Sequence, residues 1–154
     1  MKMKRNEYWE VITPVLALIC IACIVICCIG ISQVGVYMDD YEKGGHLDLT
    51  AFYGGDVWRR GNFALLGLYA VMLLGLYAGR RSGAAQGILF AVSMIALILA
   101  AGILYQNYSF CVSDGISLSA VFGSVAVVAL IVVKLLLTLA CGVLLFISFT
   151  TKAK

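Results

Sequence analysis

The sequence predicts an all-α fold, a polytopic membrane protein built as a bundle of four transmembrane helices with both termini cytoplasmic. Three observations lead there. Four long apolar stretches, residues 11–36, 63–79, 84–105 and 116–149, are separated by short polar breaks. A helix needs roughly 20 apolar residues to cross a hydrocarbon core about 30 Å thick, so each stretch reaches or approaches a span. Apolar residues make up 63% of the 154 and charged residues 12%, against roughly half and about 25% in soluble domains. Third, the basic residues fall in alternate breaks, as a membrane topology requires.

Lys2, Lys4 and Arg5 precede the first span, Arg80 and Arg81 lie between the second and third, and Lys152 and Lys154 follow the fourth. With four spans, these regions share one side. That side holds seven bases and the two acids Glu7 and Glu10, a net +5. The opposite side holds Lys43, Arg59 and Arg60 against six acids, a net −3. Lys and Arg are retained in the cytoplasm, which puts the termini and the inner turn 80–83 inside and the loops 37–62 and 106–115 outside. The longest polar stretch, 37–62, is too short for a core of its own. The chain reads as a single four-helix domain over 1–154.

The first span has a basic start, but its apolar run of about 26 residues exceeds the 7–15 of a cleaved signal. It reads as a retained helix. Tyr8 and Trp9 are placed for an interfacial aromatic belt. Pro14 is expected in the first turns, where a missing N–H costs least. Cys20, Cys23, Cys27 and Gly30 follow at spacings of three, four and three, along one face. Free cysteine behaves as a small buried hydrophobe, so packing is the reading of this stripe. No His or carboxylate lies near enough in sequence to suggest a metal.

In the second span Leu65-Leu66-Gly67-Leu68-Tyr69-Ala70 is echoed by Leu73-Leu74-Gly75-Leu76-Tyr77-Ala78. Gly67 and Gly75 are expected nearly above one another, and Gly79 completes a GxxxG pair with Gly75. The third span continues the theme with Gly83, Gly87 and Ala91. Because lipid supplies no hydrophobic force between helices, close packing through small residues is the expected use of both lines.

The fourth stretch is longer than a bilayer requires. Counting back from Lys152 puts its hydrocarbon segment at about residues 130–149 and Lys134 near the outer leaflet. Counting forward from Asp114 puts Lys134 deep, at a cost of roughly 2.5–3.5 kcal/mol or more. The first register is therefore preferred. In it, Lys134 snorkels, meets a carbonyl, binds an anionic headgroup or pairs with another subunit. Assembly or lipid contact is the functional reading, shared with Arg59 and Arg60 beside the second span.

Among the outer residues, Tyr37, Tyr41, Phe52, Tyr53 and Trp58 are the expected contact set, for the interface or an outside partner. The acids Asp39, Asp40, Glu42, Asp48 and Asp56 with His46 match no calcium-loop spacing, and one His anchors no zinc site. Cys111 reads as a free outer thiol. Asn107-Tyr108-Ser109 is a glycosylation sequon close to the membrane. No GxSxG, HExxH, zinc pair or Walker loop is present, and a lone His excludes bis-His haem. No catalytic, cofactor-binding or metal-ligating residue is therefore expected.

The run Arg80-Arg81-Ser82-Gly83 through Gly87-Ile88-Leu89 to Leu104-Tyr105 is similar to the third span of the claudin and peripheral-myelin-protein tetraspans. Arg59-Arg60 resembles the basic residue that closes their first outer loop. The Trp-Gly-Leu-Trp and two-cysteine signature of that loop is absent. The resemblance thus implies the tetraspan layout and assigns no site residue.

The expected function is that of a non-enzymatic structural or accessory subunit of a larger membrane assembly. The lipid bilayer and other membrane subunits are its expected partners, and nucleic acid is not. The expected home is the plasma membrane or the secretory pathway. Alternatives are a claudin-like junction or adhesion protein, a supernumerary subunit of an organellar energy-converting complex, and a small enzyme or carrier for a lipid-like substrate.

Overall fold

A computed structural model describes the backbone of residues 5–42, 49–114 and 125–150, and the side chains of 7–31, 60–105, 108–109 and 129–150. Among these described residues there are four helices: α1 (Arg5–Glu42), α2 (Leu49–Gly79), α3 (Gly83–Asp114) and α4 (Val125–Thr150). Within them, Glu7–Ile31, Arg60–Gly79, Gly83–Tyr105 and Ala129–Thr150 are long and apolar enough to cross a bilayer. The chain is an integral, multi-pass membrane protein in contact with lipid.

Three helices run further than their apolar stretches. α1 continues through Asp39, Asp40 and Glu42, α2 starts at Leu49, and α3 reaches Asp114. Helical backbone therefore occupies most of the segments expected as outer loops. Neither Gly nor Pro falls between Tyr37 and Glu42 to stop α1; a helix that satisfies its own backbone need not end where the hydrocarbon does. The aromatic set Tyr37, Tyr41, Phe52, Tyr53 and Trp58 lies on these extensions, with side chains outside the described residues, as are those of Arg59 and Asn107. The side chain of Cys111 and the whole of residues 115–124, the start of the fourth apolar stretch, are also outside them.

α1 also starts earlier than its apolar run, at Arg5, so Pro14 sits inside the helix and not in its first turn. The missing N–H removes the bond that the Glu10 carbonyl would have received. At the other inner corner the chain turns as expected. Arg81 N–H donates to the Ala78 carbonyl (3.1 Å), and Ser82 caps α3, its Oγ accepting from Ala85 N–H at 3.4 Å.

Each helix packs on its neighbours in sequence, and α4 closes the ring against α1. This is up-down-up-down order with short connections. The buried positions reveal the packing mode. Recurring among them are Trp9, Ile12, Leu16, Cys20, Cys23 and Cys27 on α1, with Ile19, Ile26 and Gly30 also buried, and Asn62, Leu65, Tyr69, Met72, Leu76 and Gly79 on α2. On α3 they are Gln86, Leu89, Ser93, Ala96, Ala100 and Ile103, and on α4 Lys134, Thr138, Cys141, Leu145 and Ser148, with Ile131 and Gly142 also buried. The spacings alternate between three and four almost throughout, a mean near 3.5, which is the period of left-handed knobs-into-holes packing. Outward positions such as Leu18, Leu74, Ile98 and Leu136 are apolar and face lipid.

Candidate functional site

The inner seam of the bundle is lined by a ladder of polar and sulfur side chains rather than by aliphatics alone. Its first rung is Lys134, 1% exposed although its side chain ends in an amino group. It stands nine residues into α4, which begins at Val125. Nζ donates to Asn62 Oδ1 of α2 at 2.8 Å and lies 3.9 Å from Cys27 Sγ of α1. Three helices thus meet at one side chain.

One turn deeper, Thr138 Oγ1 donates to the carbonyl of Lys134 (2.8 Å). Its oxygen is also 2.5 Å from Tyr69 OH and 4.0 Å from Cys23 Sγ. α1, α2 and α4 are joined again. Below that, Cys20 of α1 and Cys141 of α4 are both buried in the core. The last rung brings in α3. Gln86 Nε2 donates to the Gly79 carbonyl at the end of α2 (2.7 Å), and its Oε1 accepts from Ser148 Oγ of α4 at 2.9 Å.

Lys134 to Ser148 spans about 21 Å at 1.5 Å per residue, so the ladder runs through most of the hydrocarbon thickness. Burying such groups without partners would cost several kcal/mol each. Here amide, hydroxyl and amino groups answer one another across helix boundaries. Interhelical hydrogen bonds of this kind contribute on average about 0.6 kcal/mol apiece. The product is register: each rung fixes the rotation and axial level of the helices it joins.

The side chains singled out by sequence divide sharply. Cys20, Cys23, Cys27 and Gly30 are all buried on the inner face of α1, and Cys28 is exposed. Lys134 neither snorkels nor faces lipid; it meets a carbonyl oxygen, that of Asn62. Arg60 is exposed at the start of the second span.

The glycines do not form one line. A Cβ on Gly75 would lie 2.7 Å from Leu89 Cδ2 of α3, so α2 and α3 approach closely there. Gly79 faces the Trp9 ring of α1, a Gly87 Cβ would meet Phe149 of α4 at 2.9 Å, and Gly67 faces open space. Eight residues at 100° each leave Gly67 about 80° from Gly75, enough to turn it to lipid. Gly83 is half-buried at the start of α3. Trp9, expected on the interface, is 1% exposed and wedged against Gly79.

Asn62, Tyr69, Gln86, Thr138 and Ser148 are the residues that sequence reasoning missed. A usable signal was there: Gln86 and Ser93 on α3, and Thr138, Cys141 and Ser148 on α4, recur at threes, fours or their sums, as the α1 cysteines do. Among the described residues, no group of three or more His, Cys, Asp or Glu gathers as a metal cage.

No protein-family model, curated protein or solved structure matches the chain. The tetraspan resemblance therefore rests on layout alone.

Proposed function

We propose that the chain is a non-enzymatic structural or accessory subunit of a larger membrane assembly. The observation that carries this reading is the closure of the polar ladder. Lys134, Asn62, Tyr69, Thr138, Gln86 and Ser148 are the groups best suited to chemistry inside the bilayer, and they are engaged with one another across helices. A catalytic or carrier site needs an acid, base or nucleophile presented to a substrate. A scaffold needs helices locked in register and an apolar exterior that other helices or lipid can cover, which is what the outer faces of α1 to α4 offer.

The topology belongs to the same reading, with both termini and the Arg80-Arg81 corner in the cytoplasm. The test is gentle extraction of the tagged chain at native expression, followed by sizing and identification of what stays bound. A stoichiometric partner that survives washing is the expected result. A chain that elutes alone and turns over a lipid-like substrate would overthrow the proposal in favour of an enzyme or carrier.

A further inference from the structure

At the basic end of the bundle, α1 and α2 line a cleft of about 400 Å³ with Trp9, Glu10, Thr13, Pro14, Leu76, Tyr77 and Arg80. Its polar groups satisfy one another only in part, unlike those of the ladder. The indole Nε1–H of Trp9 is buried and has no hydrogen-bond partner, whereas a buried indole normally finds an acceptor. The Glu10 carbonyl lost its helical donor to Pro14. Thr13 Oγ1 serves the Trp9 carbonyl instead. At the mouth, Arg80 Nη2 and Glu10 Oε1 are 3.3 Å apart, with the two side chains 67% and 61% exposed. An ion pair this exposed is weak and easily opened.

The position matters as much as the chemistry. The cleft lies where the apolar runs of α1 and α2 give way to Glu10 and Arg80, a composition that belongs at headgroup level. One wall is apolar, from Leu76 and the exposed Pro14, and suits the first carbons of an acyl chain. The mouth presents one cation and one anion, a match for a zwitterion. A purely anionic headgroup would meet the Glu10 carboxylate, and a choline ammonium has no N–H to give to it.

We infer that this cleft is a seat for a membrane lipid with a phosphoethanolamine headgroup. Its phosphate pairs with Arg80, and its primary ammonium donates to the Glu10 carboxylate and the freed Glu10 carbonyl. A phosphate or ester oxygen accepts from Trp9 Nε1–H. The seat stands whether or not the chain has protein partners.

The experiment uses the full chain carrying Trp58→Phe, so that Trp9 is the sole fluorophore of its kind. It is reconstituted in phosphatidylcholine vesicles with a small, equal fraction of acyl-brominated phosphatidylethanolamine, phosphatidylcholine or phosphatidylglycerol. Brominated phosphatidylethanolamine is expected to quench Trp9 several-fold more effectively than the other two, and saturably. Glu10→Gln and Arg80→Gln should each reduce it to the phosphatidylcholine level without shifting the melting temperature. Equal quenching by the three lipids in the unsubstituted cleft would overturn the inference, and so would a preference for phosphatidylglycerol. That comparison needs no cleft variant to fold.

Discussion

Asn62 and Lys134 face one another across the seam, and the pair carries unequal risks. Removing the acceptor leaves a buried amino group short of a partner, so Asn62→Leu is expected to cost about 1–3 kcal/mol. Tyr69→Phe deletes one hydroxyl contact to Thr138 and should cost about 0.6 and at most about 1.7 kcal/mol. Thermal melts in mild detergent should rank the two in that order, and a reversed order would deny Lys134–Asn62 its place as the first rung. Lys134 was legible as an anomaly in the sequence, since an ionisable residue in a span stands out. Its direction was not legible. Whether it turns to lipid or inward depends on where three other helices lie, and Asn62, one residue ahead of an apolar run, reads as the end of a loop.

At the level of the helix, the four spans were plain from length and hydropathy, because the bilayer imposes both. Rotation about each axis was harder to read. A lipid-exposed helix is apolar all round, so the usual contrast between inner and outer faces nearly vanishes, leaving small and polar residues as the marks of the seam. On α1 the cysteines supplied that mark; on α2 the repeated Leu-Gly-Leu-Tyr motif misled, because its period of eight exceeds the seven that would keep a residue on one face. Paired substitutions test this. Gly67→Ile points into lipid and should leave stability within about 0.5 kcal/mol. Gly75→Ile drives a branched side chain into Leu89 and should cost about 1–3 kcal/mol by overpacking. Similar unfolding midpoints for the two variants would mean that α2 is rotated from the orientation described.

For the molecule as a whole, the asymmetry of charge makes a directional prediction: reporter fusions at both termini and a site-specific label beside Arg80-Arg81 should all report the cytoplasm. A label placed outside at that corner would invert the topology. Even with orientation established, partners stay illegible from the chain, because apolar outward side chains look alike whether acyl chains or another subunit cover them.

The ladder also bears on how the protein is made. α4 leaves the ribosome last, when Asn62 and Cys27 have already been delivered to the bilayer, so its amino group finds an acceptor on arrival. A circular permutant that emits α4 first must release Lys134 into acyl chains before Asn62 is present, at a cost below the roughly 2.5–3.5 kcal/mol of a Lys at mid-span. Translocon-release assays should show that segment inserting poorly in the permutant and well in the natural order.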